Sequence, residues 1–384
     1  MTLKAAKRSA IQPFIVMDVM RAANTLQAQG VDILHLEVGQ PSTPAPRRVL
    51  EAARTALEKE LLGYTDAFGV PPLKDAIAAH YRKAYGIEID TARIAVTTGS
   101  SGAFVVAFLS AFDAGDRVAL VSPGYPAYRN ILAALDIEVV NLEAGPETDY
   151  QPTPALLDQI EGKLDGLIIA SPSNPTGTMI DAAGLKALTA YCRKRGIRLV
   201  SDEIYHGITY EGPAHSVAEF DPEAFVVNSF SKYYAMTGWR LGWLIFPESL
   251  TRPIECLAQN LFISPPTLSQ IAAVSAFDAE EELEANVARY KANRDILLEE
   301  LPKAGFDKLS HAQGAFYVYA DVGHLTDDSL AFCQRILKET GVAITPGVDF
   351  DPGRGHRYVR FSFAGATADM TEAARRLKVF RQTL

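Results

Sequence analysis

One lysine stands among small, aromatic and apolar residues in the stretch SFSKYYAMTGWRLG, which covers residues 229–242. Such a position is unusual, because lysine side chains are rarely kept from water unless they are paired or used. Burial disfavours the charged form of an amine and lowers its pKa, and the neutral amine is both a nucleophile and a base. Lys232 is therefore a candidate for covalent or acid–base chemistry.

Other polar residues follow short apolar runs and could take part in the same chemistry. Asp202 stands near the end of the run at 197–203 and Tyr205 follows it, and Asn174 follows the run at 166–172. A carboxylate at the end of a buried strand is costly unless it meets a cation. Each residue also has an ordinary structural explanation, since Asp202 could cap a turn, Tyr205 could pack, and Asn174 could belong to a turn.

The turn Gly99-Ser100-Ser101-Gly102 follows the apolar run RIAVTT and precedes a helical pattern. A small, glycine-containing turn at a helix N-terminus leaves backbone N–H groups free to hold an anion. Gly and Ser are also ordinary turn and N-cap residues, so the turn alone is a weak indication. It is a candidate anion site with a plain structural alternative.

These candidate residues need a scaffold, and the apolar runs predict one. Five short, largely apolar and β-branched runs lie at 93–98, 117–123, 166–172, 197–203 and 224–230. Helical segments such as 101–112 and 183–195 lie between them. This alternation predicts an α/β fold, with a mostly parallel sheet and helices on both faces. Ligands bind at the carboxyl ends of the strands in such sheets, which is where the candidate residues stand.

The last hundred residues have a different pattern. A long charged helical pattern at 280–300 precedes the runs GAFYVYADV and YVRFSFA, with a helix near 328–339 between them. We interpret this part, together with the N-terminal segment, as a smaller α+β domain. The predicted division is a large domain at 45–285 and a small domain formed by 1–44 and 286–384.

Composition limits the classes of function. The chain has 384 residues, a net charge of −9, 48% hydrophobic residues and 22% charged residues, which is typical of a globular enzyme and argues against a nucleic-acid surface. No apolar run approaches the ~20 residues that a membrane helix needs, and the N-terminus lacks the apolar core of a signal peptide. The three cysteines are far apart, which predicts reduced thiols. We therefore expect a cytoplasmic protein without nucleic-acid or membrane partners.

The seven histidines show no metal-ligand spacing, so no metal site is expected. His206 adjoins Tyr205 and could support it from behind, but we favour an ordinary surface or core histidine.

Taken together, the candidate residues match the demands of pyridoxal phosphate (PLP). Its aldehyde forms a Schiff base with a lysine amine, a carboxylate keeps its ring nitrogen protonated, and its phosphate needs N–H groups and a cation. Lys232, Asp202, the Gly99–Gly102 turn and Arg240 would supply these groups at one sheet edge. No metal or nucleotide is needed to explain the set.

Read in order, the motifs resemble those of the class I aminotransferases, the aspartate-aminotransferase-like enzymes of PLP fold type I. The resemblance covers residues 39–363, and several motifs in the family's order are a specific signal. The motifs are GYTDAFGVPPLKDAI, TTGSSGAF, SPGYPAY, SPSNPTG, SDEIYHGITYEG, SFSKYYAMTGWRLGW, GAFYV and ITPGVDF.

The resemblance implies a role for each residue around the cofactor ring. Lys232 would be the Schiff-base lysine and, once substrate has displaced it, the general base. Asp202 would pair with the ring nitrogen. Tyr205 and Asn174 would hydrogen-bond the phenolic oxygen of the ring, and Tyr125 would stack on the ring face.

The phosphate ligands that the resemblance implies are Ser100, Ser101, Ser229 and Arg240. Tyr64 would reach the phosphate of the neighbouring subunit, so the resemblance also implies a homodimer with shared active sites.

The substrate ligands that the resemblance implies are Arg360, Gly39 and Asn174. Arg360 would hold the α-carboxylate as a bidentate fork, which a lysine could not copy. Gly39 would let its backbone approach the same carboxylate.

The expected reaction transfers an amino group from an L-amino acid to a 2-oxo acid such as 2-oxoglutarate or pyruvate. An acidic donor would want a second cation, yet Gln259 and Ser101 stand where branches of the family have an arginine and a lysine. We therefore favour a neutral, aliphatic or aromatic donor, and Phe14, Ile15 and Met17 could add apolar surface at the entrance. The alternatives are an aspartate aminotransferase, a PLP-dependent C–S lyase and a non-enzymatic PLP-binding regulator.

Overall fold

The computed structural model describes residues 3–383. In this range the α-helices are α1 (Ile15–Ala28), α2 (Arg47–Lys59), α3 (Pro71–Tyr85), α4 (Gly99–Ala111), α5 (Pro126–Ala134), α6 (Pro154–Leu157), α7 (Ala182–Arg195), α8 (Thr251–Leu261), α9 (Thr267–Val274), α10 (Glu280–Glu300), α11 (Ser329–Thr340) and α12 (Thr367–Arg381). The strands are β1 (Leu34–His35), β2 (Ile94–Thr97), β3 (Arg117–Ser122), β4 (Glu138–Glu143), β5 (Gly166–Ala170), β6 (Arg198–Asp202), β7 (Phe225–Ser229), β8 (Gly242–Ile245), β9 (Lys308–Leu309), β10 (Tyr317–Asp321), β11 (Val342–Ala343), β12 (Thr345–Pro346) and β13 (Tyr358–Ser362).

A seven-stranded sheet with the order β2-β8-β7-β6-β5-β3-β4 forms the centre of the molecule. Strands β3 to β7 are parallel to one another, and β8 is antiparallel to both of its neighbours. Each of the five predicted strands belongs to this sheet. Ala170, Asp202 and Val227 lie side by side across β5, β6 and β7, so the residues that follow these strands meet at one edge.

Both faces of this sheet are buried. Leu167 and Ile169 of β5 enter one hydrophobic cluster, whereas Ile168 between them enters another. Helices α2, α3, α7 and α9 cover the first face, and α4, α5 and α8 cover the second. Burial on both faces explains why the strands read as nearly continuous apolar runs, and the predicted α/β architecture is confirmed.

A second, antiparallel sheet with the order β12-β13-β10-β9 belongs to a separate hydrophobic cluster, with α10, α11 and α12 packed around it. Helix α10 runs through the predicted boundary near residue 285. Its Leu283 belongs to the cluster of the large sheet, and its Val287 belongs to the cluster of the small sheet. The division into two domains stays a prediction.

Three further findings concern the described range. No helix within residues 3–383 is both long and apolar enough to cross a membrane. The same residues contain no group of three or more His, Cys, Asp or Glu side chains that could hold a metal ion. Cys192, Cys256 and Cys333 are free thiols.

Candidate active site

A cavity of about 190 Å³ lies at the carboxyl ends of β5, β6 and β7, where side chains from β10 and β13 also reach it. It brings together most of the predicted site residues: Gly39, Ser100, Ser101, Tyr125, Asn174, Asp202, Tyr205, Lys232, Arg240 and Arg360. These residues come from widely separated parts of the chain, which is expected at the strand ends of an α/β sheet.

Lys232 follows the end of β7 and remains half-buried. Its Nζ donates a hydrogen bond to the carbonyl of Gly39 at 2.6 Å. Burial, together with the charges of Arg360 and Arg240, lowers the pKa of this amine to about 8, while the charge of Asp202 opposes the shift. A substantial fraction of the amine is therefore neutral at physiological pH.

Asp202 is the last residue of β6 and is 5% exposed. Its Oδ2 accepts a hydrogen bond from the Tyr128 hydroxyl, and its Oδ1 accepts one from the backbone N–H of Ile204 at 3.1 Å. Burial raises the pKa of this carboxyl to about 6, whereas the two hydrogen bonds and the charge of Lys232 act in the opposite direction. Asp202 is thus mostly ionised at neutral pH.

The charges at the cavity are unbalanced. Three cationic side chains, Lys232, Arg240 and Arg360, line it together with one acid, Asp202. Within residues 3–383 none of these four makes an ion pair at 4 Å or less. Arg360 and Asp202 are buried and Lys232 is half-buried, whereas Arg240 is exposed. Buried charges are costly without partners, and the cations exceed the acid, so the cavity is suited to a ligand that brings more than one anionic group.

Arg360 projects from β13 and is 3% exposed. Its Nη1 donates to Asn174 Oδ1 at 2.7 Å, and its Nη2 donates to the Glu37 carbonyl and, at 3.3 Å, to Thr345 Oγ1. Its carbon Cζ lies 4.3 Å from the centre of the Tyr317 ring. Its Nε is buried without a hydrogen-bond partner among the described residues. The planar donor group is thus fixed in orientation and retains an unused N–H.

The predicted anion turn is the first turn of α4, which starts at Gly99. Gly99 has a φ of +73°, and a Cβ added there would lie 2.7 Å from Arg240 Nη2. Arg240 Nη1 donates to the Thr237 carbonyl at 3.0 Å. A guanidinium therefore lies against a helix N-terminus that also carries Ser100 and Ser101, and this is the combination that a phosphate group needs.

Two predicted site residues lie outside the lining of the cavity. Ser229 is buried beneath it, with its Oγ 2.9 Å from Ser231 Oγ and 3.0 Å from the Leu241 carbonyl, and Ser231 lines the cavity instead. Tyr64 is 84% exposed on the surface. The predicted roles of both residues in phosphate binding stay predictions.

Two tyrosines of the site escaped the sequence analysis. Tyr128 holds Asp202, and it stands three residues after Tyr125, at the start of α5. Tyr317 of β10 has its hydroxyl 2.8 Å from that of Tyr205, and a Cβ on Gly39 would overlap the same hydroxyl. Helical spacing from Tyr125 was a usable signal for Tyr128, whereas the Tyr317 contact joins two separate sheets.

Apolar residues at the N-terminus close one side of the cavity. Phe14, Val16 and Met17 line it, whereas Ile15 does not. Helix α1 begins at Ile15, where the two oxygens of the buried Asp349 carboxylate accept hydrogen bonds from the backbone N–H groups of Ile15 and Val16 at 3.1 and 3.0 Å. This carboxylate fixes the start of the helix and so positions the apolar wall.

Known protein sequences resemble this chain over nearly its whole length. Residues 31–377 match the family described as aminotransferase class I and II. The chain is 53% identical over 381 residues to a valine–pyruvate aminotransferase of Mycobacterium tuberculosis, with 98% of each chain covered. It is 34% identical over 374 residues to a (5-formylfuran-3-yl)methyl phosphate transaminase of Methanocaldococcus jannaschii, with 96% of this chain and 97% of that relative covered.

Solved structures agree with the sequence relatives. A crystal structure of an aminotransferase from Mycobacterium tuberculosis superposes with a TM-score of 0.98 at 51% identity, and the aspartate aminotransferase of Thermus thermophilus with maleate superposes with a TM-score of 0.93 at 32% identity. Each comparison covers 100% of both chains. The predicted fold type I and the predicted enzyme class are confirmed, and the chain belongs to the class I and II aminotransferases.

Proposed function

We propose that this aminotransferase binds PLP in the 190 Å³ cavity and transfers the amino group of a neutral, branched aliphatic L-amino acid such as valine to pyruvate. One observation carries the proposal. Lys232, Arg240 and Arg360 face the cavity with Asp202, and none of these charges has an ion-pair partner in the described chain. A cofactor phosphate and a substrate carboxylate would supply the missing anionic groups.

The residues that would hold the cofactor are already arranged around the cavity. Lys232 would bond to it covalently, Asp202 would pair with its ring nitrogen, and Arg240 with the first turn of α4 would bind its phosphate. A side chain at Gly99 would displace Arg240, so this cradle depends on the glycine. When bound, PLP withdraws electrons from the substrate Cα and stores the amino group between the two half-reactions.

The remaining chemistry belongs to the side chains of the protein. A pKa of about 8 lets Lys232 hold or release a proton near neutral pH, as a base that moves a proton from the substrate Cα must do. Asp202 keeps a negative charge in a place closed to water. Arg360 offers a guanidinium already fixed by Asn174 and the Glu37 carbonyl, so little ordering is needed to bind a carboxylate.

The choice of a neutral donor rests on the rest of the cavity wall. Apart from Lys232, Arg240 and Arg360, residues 3–383 place no lysine or arginine in the lining that could pair with a carboxylate on the substrate side chain. Phe14, Val16, Met17 and Val38 offer apolar surface instead. The valine–pyruvate specificity in the name of the 53% identical relative supports the same choice. Pyruvate, unlike 2-oxoglutarate, has no second carboxylate to neutralise.

We also propose that the enzyme is a homodimer in which Tyr64 reaches the cavity of the partner. Leu61 and Tyr64 are 97% and 84% exposed, and Leu261 and Ile263 are 48% and 53% exposed. A threonine hydroxyl at the start of α9 donates to the Gly63 carbonyl at 2.6 Å, so the two segments share one surface. Exposed apolar surface of this kind is typical of a contact between proteins.

The reaction is tested with a panel of amino acids under single-turnover conditions. The purified protein should show the visible absorbance of lysine-bound PLP. Valine should discharge that band, pyruvate should restore it, and alanine should form in an amount equal to the valine consumed. Aspartate should react at least about tenfold more slowly, because an unpaired carboxylate would be buried.

Rapid reaction of aspartate without reaction of neutral donors would refute the donor assignment. Release of a thiol, pyruvate and ammonia from a cysteine conjugate in the panel, without an acceptor, would identify a C–S lyase.

The dimer is tested independently by sedimentation and by mixing two inactive variants. Tyr64→Ala and Lys232→Ala should each be nearly inactive alone. A mixture should regain activity, because a hybrid dimer has one cavity with both native residues. Monomers in sedimentation, or no recovery in exchanged mixtures, would contradict shared active sites.

A further inference from the structure

A second cavity, of about 630 Å³, has a lining that shares no residue with the first. His206 lines this second cavity, and its sequence neighbour Tyr205 lines the first. Tyr233 also lines the second cavity, and its neighbour Lys232 lines the first. The segments that carry Tyr205 and Lys232 therefore have a second surface, on the side away from the first cavity. His206 lies on this rear surface.

The hydrogen bonds of His206 determine its tautomer. Its Nε2 lies 2.9 Å from the Ser171 carbonyl, and its Nδ1 lies 2.7 Å from the Tyr85 hydroxyl. A carbonyl oxygen can only accept, so Nε2 carries the hydrogen and Nδ1 accepts from the tyrosine. Burial lowers the pKa of His206 to about 3, in agreement with a neutral ring.

The bond to Ser171 joins two segments that face the active cavity. Ser171 starts the loop that carries Asn174, and Asn174 accepts the hydrogen bond from Arg360. On the other side, the backbone N–H of His206 donates to the Glu203 carbonyl at 3.0 Å and closes the turn that carries Tyr205. The imidazole thus joins the Tyr205 turn to the Asn174 loop, next to the backbone hydrogen bond that the Ser171 N–H donates to the Asp202 carbonyl at 3.2 Å.

We propose that His206 is a positioning residue for transamination, which fixes Tyr205 and Asn174 from behind through its Nε2–H. This inference rests on the proposed function, because both residues face the cavity assigned to PLP and substrate. The other interpretation is a histidine that only fills space. The two interpretations differ in one respect: positioning requires the N–H donor, whereas filling space requires only the ring.

The second cavity makes a chemical-rescue experiment possible. His206→Ala should lower kcat about tenfold, as loss of an orienting partner commonly does, with a smaller change in KM. The pH midpoint of the absorbance of lysine-bound PLP should shift by about half a unit or more. Imidazole can enter the vacated space from the second cavity and should raise the kcat of the alanine variant several-fold. Thiazole has a similar ring without an N–H and should not restore it.

Two further variants keep the test decisive if the alanine variant folds poorly. His206→Gln places an amide N–H near the position of Nε2 and should keep kcat within about threefold of the wild type. Tyr85→Phe removes the hydroxyl and leaves the Ser171 bond, so it should keep kcat within about twofold. The wild type with the same concentration of imidazole is the control for inhibition.

The inference is overturned if His206→Ala keeps the wild-type kcat and absorbance midpoint, or if thiazole rescues as well as imidazole. It is also overturned if a well-folded His206→Gln loses as much kcat as the alanine variant. A wild type without the absorbance of lysine-bound PLP would refute the proposed function as well, so the two failures are distinguishable.

Discussion

Asp202 and Glu203 are neighbours in the sequence, and both are almost fully buried, but they serve opposite sides of one turn. Asp202 faces the active cavity, and its pKa is raised by burial to about 6, with Lys232 opposing the rise. Glu203 faces the rear, where burial raises its pKa to about 8 and only neutral donors, including the backbone N–H of Val217 and the hydroxyl of Ser216, oppose it. At pH 7 the first carboxyl is mostly charged and the second is mostly neutral.

The two sides of the turn have different requirements. The front keeps charges without ion pairs, as a site awaiting charged ligands must. On the rear, the buried groups Glu203 and His206 are neutral and held mainly by hydrogen bonds, as ordinary buried polar groups are, and the charged Lys83 and Glu280 pair at its exposed margin. Substitutions that alter charge should therefore harm the front, and substitutions that preserve shape and hydrogen bonds should spare the rear.

The largest effect is expected at Lys232. Lys232→Ala should lower kcat by at least about 10³-fold, because both the covalent attachment and the base are lost. Borohydride reduction followed by mass spectrometry should label the wild-type peptide that contains residue 232 and leave the variant unlabelled. Lys186→Ala, on the exposed surface of α7, is the matched control and should be fully active. Normal turnover by Lys232→Ala would contradict the assignment of Lys232 as the residue that attaches PLP and acts as the base.

The next effect compares the two carboxyls directly. Asp202→Asn should lower kcat/KM about 10²-fold or more, because an amide cannot keep a ring nitrogen protonated. Glu203→Gln should stay within about threefold of the wild type, since the amide resembles the neutral acid already present. Both variants are measured with the same donor and acceptor. Equal losses of kcat/KM in the two variants would contradict the contrast between a charged Asp202 and a neutral Glu203.

A smaller effect is expected at Arg360. Arg360→Lys should lower kcat/KM at least about tenfold, because a charged hydrogen bond contributes ~1.5–3 kcal/mol and an ammonium cannot form the planar fork. The loss should appear for every donor, since all share the α-carboxylate. Arg375→Lys is the control: it makes the same exchange at an exposed arginine that pairs with Glu372 on the surface. An unchanged kcat/KM for Arg360→Lys would contradict the carboxylate role.

The last predictions concern stability and its pH dependence rather than turnover, and they belong to the rear. The pKa of Glu203 is about 8 in the fold and 4.5 ordinarily, so the folded protein keeps a proton that the unfolded chain loses. The contribution of Glu203 to the free energy of unfolding therefore falls as pH rises from about 5 to 8, by at most ~1.4 kcal/mol per pH unit. Glu203→Gln should remove that fall, so its stability relative to wild type should increase with pH.

His206 should act in the opposite direction. Its pKa is about 3 in the fold and 6.5 ordinarily, so stability falls as pH drops through that interval. His206→Gln should therefore gain stability relative to wild type towards acid. Urea unfolding of the three proteins at pH 4.5, 6 and 8 measures both trends. If the free energy of unfolding changes with pH in the same way in all three proteins, neither Glu203 nor His206 has the shifted pKa that the structure indicates.

The sequence was sufficient to predict the parallel strands that are buried on both faces of the sheet. The parallel strands β3, β5, β6 and β7 are buried on both faces and were predicted from their apolar runs. Strand β4 was not predicted, because it is a half-exposed edge strand with the sequence EVVNLE, which has no continuous apolar run. Strand β8 was also missed, since an antiparallel partner follows no βα alternation.

The same limit applies to the site. Lys232 and Asp202 were found because each follows a buried strand and has side-chain chemistry that is rarely kept from water. Tyr128, Tyr317 and the bridging role of His206 were not found. A tyrosine or histidine in an apolar segment is usually a packing residue, and the contacts that distinguish these three come from distant parts of the chain. Apart from the helical spacing that links Tyr128 to Tyr125, the sequence carries no record of such contacts.

Helix α10 has a consequence for exchanging parts among related enzymes. Its Leu283 packs with the cluster of the large sheet and its Val287 with that of the small sheet, one turn further along the same rod. A chimera joined inside 280–300 would combine halves of a helix adapted to different neighbours. Recombination should therefore inherit this segment whole, and junctions are better placed in loops outside it.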